Sequence, residues 1–172
     1  MDLSRVIRDI PDFPKPGILF RDITPVLEQP AAFAAAIAGL LDLTGNVAYD
    51  KIGAIESRGF IFAGPMCRKT DKPLILLRKA GKLPGRTIAA SYDLEYGQAT
   101  LEVHADSIDA GDRLLVVDDL LATGGTAAAT AELIAKAGGE VAGFVFLVEL
   151  ADLAGRERLA PIAPVFSLVK YD

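Results

Sequence analysis

One cysteine, one histidine and no tryptophan occur among the 172 residues. The lone Cys67 excludes an intramolecular disulfide, and Cys67 with His104 alone excludes a Cys/His zinc cluster and any site that needs two histidines. No apolar run is long enough to cross a bilayer. The opening MDLSRVIRDIPDFPKPG carries acids and prolines where a signal peptide would need an uninterrupted apolar stretch. The expectation is a cytoplasmic protein with no membrane association. An excess of positive charge is missing as well: 18 Lys and Arg against 23 Asp and Glu give a net charge of −5. Nucleic-acid binders draw much of their affinity from Lys and Arg on phosphates, so no nucleic-acid partner is expected.

What is present is the composition of an ordinary globular chain. Hydrophobic residues at 51% are enough to pack a core, and charged residues at 24% keep the surface wet, without the bias of disordered or collagenous sequences. Domains usually run about 100 to 200 residues, so a single domain over 1–172 is expected. Leu3, Val6, Ile7 and Ile10 lie at helical spacing and predict a short helix over 2–10, stopped by the prolines that follow. Residues 30–43 predict a helix that starts on Pro30. KIGAIE (51–56) reads as a strand running into a turn at Ser57, Arg58 and Gly59 and then a helix from Phe60. PLILL (73–77) predicts a buried strand, followed by a basic surface loop over 78–85. Residues 87–94 and 99–104 read as two arms of a hairpin. LLVV (114–117) is the continuous apolar run of a strand covered on both faces; a helix over 127–137 and strands over 141–148 and 165–169 complete the alternation. Strand-helix alternation of this kind predicts an α/β fold with a central, mainly parallel sheet flanked by helices, and ligands beyond the carboxyl ends of the strands.

The chemistry concentrates in LLVVDDLLATGGT (114–126), where a buried strand runs out into two acids, a Thr/Gly loop and a helix start. Gly124 and Gly125 let backbone N–H groups close around a phosphate, and the new helix adds its positive end. Thr123 and Thr126 add hydroxyl donors, with Ala122 completing the loop. No Lys follows the glycines, so this is not the GxxxxGK[ST] loop, and the spacing is not GxGxxG. A single terminal phosphate fits better. Asp118 and Asp119 suit two neighbouring sugar hydroxyls or a hydrated Mg²⁺. A ribose 5-phosphate satisfies both halves.

In this segment the chain resembles the phosphoribosyltransferase family, whose signature for 5-phosphoribosyl 1-diphosphate has the same layout, and DDLLATGGT is similar to the adenine-specific branch. FPKPGILFRDITPVL (13–27), ESRGF (56–60), RKAGKLPG (78–85) and ASYDLEYG (90–97) extend the resemblance over nearly the whole chain. It implies the type I phosphoribosyltransferase fold, with a small hood and a flexible hairpin over the active site. It also implies a reaction in which adenine and the ribosyl donor give AMP and diphosphate, with Mg²⁺, in a homodimer serving purine salvage. Ser57 and Arg58 would lie in the pyrophosphate-binding turn, where a guanidinium forks onto phosphate oxygens. Arg78, Lys79 and Lys82 would carry the leaving group from a mobile loop that relatives use across a dimer interface; Ala80 stands there where Pro or Arg is frequent. Glu95 would handle the proton at the purine N7 edge, with Arg58 the second group implied in catalysis, while Tyr96 closes the lid. Leu19, Phe20 and Arg21 would hold the base, Phe20 by stacking; Phe20 as plain core stays open. Cys67 reads as a small buried hydrophobe and His104 as a strand residue without a catalytic role. Two other readings use the same pocket: a transferase for a 6-oxopurine, with a Lys and a different acidic loop at the base site, or a regulator that binds the donor without turning it over.

Overall fold

The computed structural model describes residues 1–93 and 98–172. Its centre is a seven-stranded sheet built from β3 (Lys51–Ile55), β4 (Leu74–Lys79), β5 (Thr87–Asp93), β6 (Gln98–His104), β7 (Arg113–Leu121), β8 (Glu140–Leu150) and β9 (Val165–Tyr171). The spatial order is β5-β6-β4-β3-β7-β8-β9, in which β4, β3, β7, β8 and β9 run parallel and the β5/β6 hairpin joins β4 antiparallel. Helices α1 (Thr24–Glu28), α2 (Pro30–Thr44) and α3 (Gly59–Thr70) pack on one face, while α4 (Gly125–Lys136) and α5 (Gly155–Leu159) pack on the other. The division follows the period of two along a strand. Leu115 and Val117 of β7 enter the core beneath α2 and α3, whereas Leu114 and Val116 enter the core beneath α4. β8 repeats the pattern with Val145 and Leu147 on one side and Phe144 and Phe146 on the other, all buried. A strand covered on both faces must be apolar throughout, which is why its sequence reads as an unbroken hydrophobic run.

Three sequence expectations need correction. Residues 2–10 do not form a helix. Leu3–Arg5 is one 3-10 turn capped by the Asp2 carboxylate, and Arg8–Ile10 is β1, paired antiparallel with β2 (Phe20–Asp22). Leu3 and Ile7 are buried as the helical spacing required, but cross-strand pairs decide the local structure: Arg8 donates to Asp22 at 3.1 Å, and Arg21 pairs with Asp9. Arg78 and Lys79 belong to β4 rather than to a loop, because Glu102 and Leu101 of β6 pair with them. β7 runs on to Leu121, so Asp118 and Asp119 are strand residues, held by pairing with β8.

Candidate active site

A parallel sheet opens a crevice where consecutive connections leave in opposite directions. Here that point lies between β3, whose connection through α3 leads to β4, and β7, whose connection through α4 leads to β8. The carboxyl ends of these two strands line a cavity of ≈ 580 Å³ with Glu56, Ser57 and Arg58 from one and Asp118 and Asp119 from the other. Lys79, Tyr92 and Thr126 complete its polar wall. A second cavity of ≈ 540 Å³, lined by Tyr49, Lys72 and Arg113 among others, lies at the opposite ends of β3 and β7. Sheet topology favours the first as the reaction site.

Two helices begin at this cavity, and both starts depend on glycine. α3 opens at Gly59, where a Cβ would lie 2.7 Å from the Val117 carbonyl oxygen and 3.1 Å from Asp118 Oδ1. Only a residue without a side chain lets the helix press onto β7 there. α4 opens at Gly125, and Gly124 before it has φ of +74°, the left-handed region that glycine enters without cost. The positive ends of two helix dipoles therefore face one crevice, an arrangement suited to a ligand that is anionic at both ends. Loop 122–126 also lines a small cleft of ≈ 90 Å³. That is room for a compact anion, since one water needs only about 10–15 Å³ of such space.

Asp119 is buried, with its Oδ2 2.7 Å from Arg58 Nε. Asp118 Oδ1 accepts the Asp119 amide N–H at 2.9 Å. One oxygen of each carboxyl is thus engaged within the protein, and the other has no N–H donor among the described residues. Burial pushes the Asp118 carboxyl well above the ordinary range, and the neighbouring Asp119 charge raises it further. Two adjacent carboxyls with too few donors form a site waiting for hydrogen-bond donors.

At the β3 end the Glu56–Ser57 peptide is cis. Arg78 does not face the cavity as a free cation: its guanidinium forks onto Glu56 at 3.2 Å through both Nε and Nη2, and it donates to the Lys82 carbonyl at 3.1 Å. Burial opposes ionisation of Glu56, but Arg78 and the Lys79 amide at 2.9 Å outweigh it and hold the carboxyl below its usual value. Lys79 lines the cavity and Lys82 is exposed on the turn that follows. Thr126 donates to the Tyr92 hydroxyl at 3.4 Å, a link from loop 122–126 to the hairpin. Tyr92 was not singled out from sequence, where it reads as one residue of an alternating strand.

Leu19, Phe20 and Arg21 do not line this cavity. Phe20 stacks edge-on against Phe13 with centroids 5.2 Å apart, and Arg21 lies 3.8 Å over the Tyr171 ring while paired to Asp9. Glu95 and Tyr96 lie outside the described residues. Cys67 is half-buried against the first core, and burial pushes its thiol up. Among the described residues no cluster of three or more His, Cys, Asp or Glu forms a cation cage. Two acids at a crevice suit Mg²⁺ held largely by substrate phosphates, since that ion keeps most of its ligands from water and phosphate.

Residues 24–170 match the family model described as the phosphoribosyl transferase domain. An adenine phosphoribosyltransferase of Thermosynechococcus vestitus is 53% identical over 99% of this chain and 100% of its own length. One of Pseudothermotoga lettingae is 55% identical over 92% of this chain and 94% of its own. The crystal structure of adenine phosphoribosyltransferase from Thermoanaerobacter pseudethanolicus superposes with a TM-score of 0.94 at 44% identity, covering 99% of this chain and 98% of that one. The yeast enzyme, complexed with an imino-altritol bisphosphate and adenine, gives 0.90 at 37% identity, over 97% and 96% of the two chains. Sheet topology, the two glycine-dependent helix starts and these likenesses agree, and the chain belongs to the phosphoribosyltransferase family, in its adenine phosphoribosyltransferase branch.

Proposed function

We propose that the crevice between β3 and β7 carries out transfer of the 5-phosphoribosyl group to adenine in the following way. The 5-phosphate rests on the amides of Ala122, Thr123, Gly124, Gly125 and Thr126, and Asp118 and Asp119 accept hydrogen bonds from the ribose hydroxyls. Ser57, Arg58 and Lys79 face the diphosphate, with Lys82 and the residues around it closing from outside. Arg78 acts through Glu56, whose carboxylate it steadies beneath that turn. The bond from C1 to the diphosphate oxygen breaks with its electron pair leaving on diphosphate, N9 of adenine bonds to C1, and the N9 proton is lost. Glu95 donates or accepts a proton at the purine N7 edge on the strength of the family resemblance, with Tyr96 closing the lid. Leu19, Phe20 and Arg21 are assigned to the base on the same ground. Positive charge grows on the sugar as diphosphate departs, so fixed charges and exclusion of water carry the catalysis. Mg²⁺, when bound, neutralises the leaving group through its oxygens.

The observation that carries this reading is the pair of adjacent β7 acids, Asp119 buried and Asp118 half-buried, set between two helix N-termini. A homodimer in the cytoplasm, built from a single 1–172 domain, is part of the proposal. The homodimer is supported by the outer face of β4, where Leu74 and Leu76 are each 37% exposed on a strand interior to the sheet. Incubating the protein with donor, Mg²⁺ and each purine, and following diphosphate, tests the reaction. Release with adenine and not with hypoxanthine or xanthine is expected. Release with a 6-oxopurine in preference, or donor binding without release, overturns it in favour of one of the two other readings of the pocket.

A further inference from the structure

We infer that Gly155 and Arg156 are positioning residues for the donor's 5-phosphate: from behind, without touching the ligand, they hold loop 122–126 in its anion-binding shape. The inference rests on that loop being the phosphate site. Its basis is a backbone contact with no room in it. A Cβ at Gly155 would lie 2.1 Å from the Ala122 carbonyl oxygen, 2.8 Å from Leu121 Cδ1 and 3.0 Å from the Gly124 amide nitrogen. Reciprocally, a Cβ at Gly124 would lie 2.9 Å from the Gly155 carbonyl oxygen. The two glycines back onto each other, and the Ala122 carbonyl is turned toward α5. A loop cradles an anion with amides only when its carbonyl oxygens point elsewhere, so the start of α5 is the surface against which the loop takes that orientation.

The position of Gly155 is itself fixed by the next residue. Arg156 Nε donates to Glu149 Oε1 at 2.8 Å, Nη1 to the Val165 carbonyl at 2.6 Å, and Nη2 to both Glu149 Oε2 and Ser167 Oγ, the latter at 2.9 Å. Ser167 also donates to Glu149, whose side chain is only 3% exposed. One fork therefore ties the first turn of α5 to β8 and β9 together. Ala154, immediately before it, has φ of +53°, a left-handed conformation that a residue with a Cβ keeps only when its surroundings impose it. Chain geometry from 154 to 156 is over-determined, and the loop inherits its precision.

The test compares steady-state kinetics of wild type, Gly155→Ala, Arg156→Ala, Arg156→Lys and Thr126→Val. Displacing loop amides weakens charge-assisted hydrogen bonds to phosphate, so donor KM should rise about tenfold in Gly155→Ala and Arg156→Ala, with adenine KM within about twofold of wild type. Arg156→Lys keeps the charge and loses the fork, and should fall between wild type and Arg156→Ala. A purely structural role would lower melting temperature and leave both KM values alone. If Arg156→Ala stays folded with donor KM unchanged while Thr126→Val raises it, the positioning role is overturned. Thr126→Val without effect on donor KM overturns the loop assignment itself and the inference with it. Should Gly155→Ala fail to fold, the two Arg156 variants decide.

Discussion

Converting Asp118 or Asp119 to Asn should weaken the ribosyl donor by an amount set by how many acceptors each carboxyl has left. Asp119 gives Oδ2 to Arg58 and Asp118 gives Oδ1 to the Asp119 amide. Each substitution therefore removes one charged acceptor for a ribose hydroxyl. A hydrogen bond to a charged group contributes about 1.5–3 kcal/mol, and about 1.4 kcal/mol is tenfold in affinity, so donor Kd should rise roughly 10- to 140-fold. The two variants should part company in stability. Burial and the Asp119 charge raise the folded pKa of Asp118 above its unfolded value. Its contribution to stability is then full below the unfolded pKa and is lost as pH rises through the folded one, so the buried carboxyl lowers stability above the ordinary Asp range. Asp118→Asn removes that cost and should raise the melting temperature near pH 7, an advantage that fades in acid. Asp119→Asn instead breaks the contact with Arg58 and should not raise it. Calorimetric titration with donor and Mg²⁺, and melting followed across pH, read both quantities. Unchanged donor affinity in both variants, or a lower melting temperature for Asp118→Asn at neutral pH, would refute the reasoning.

Three further outcomes are expected. Gly59→Ala forces a methyl against the Val117 carbonyl at 2.7 Å; overpacking costs about 1–3 kcal/mol, and at about 2–4 °C per kcal/mol thermal melting should fall by roughly 2–12 °C, with activity reduced as α3 is pushed from β7. Leu76→Lys places a charge in the exposed apolar face of β4, and on the proposed assembly sedimentation velocity should show a dimer for wild type and a monomer for the variant; identical sedimentation of the two would remove that interface. The Arg156 hydrogen bonds hold Glu149 below its usual pKa against the opposing effect of burial, so its stabilisation is present above the ordinary Glu value of about 4.3 and lost as pH falls through the lowered one. Melting of Glu149→Gln should therefore be less steep in acid than wild type, and parallel curves would remove that role.

Much of the sheet was legible because its central strands obey one strong constraint. A strand covered on both faces cannot carry polar residues, and 114–117 and 141–148 announce themselves on that ground alone. The layout of 122–126 was legible for a related reason: a glycine pair between a buried strand and a helix-forming run marks a helix start, and α4 begins at Gly125. What escaped was decided by partners distant in sequence. Residues 2–10 keep a helical spacing of apolar side chains, yet β2, more than ten residues on, determines their backbone. Arg78 reads as one of three free cations until Glu56, 22 residues earlier, is seen to occupy it. Gly155 carries no local signal, since AGRERL resembles the start of any short helix; its need for glycine comes from Ala122, on a different strand-to-helix connection.

The same contrast explains why the crevice is both costly and precise. The side proposed to face the anion is made of backbone amides at two helix starts, groups that would lose little freedom on binding because glycine contacts at 59, 124 and 155 already fix them. The side proposed to face the sugar carries two adjacent carboxyls, and burial together with the Asp119 charge disfavours ionisation of Asp118 there. A ligand bearing phosphate at one end and vicinal hydroxyls beside it relieves the second while using the first. On the proposed assignment, free phosphate reaches only the amides and a free sugar only the acids, so selectivity for the phosphorylated sugar would follow from the stretch of β7 and loop between Asp118 and Gly125.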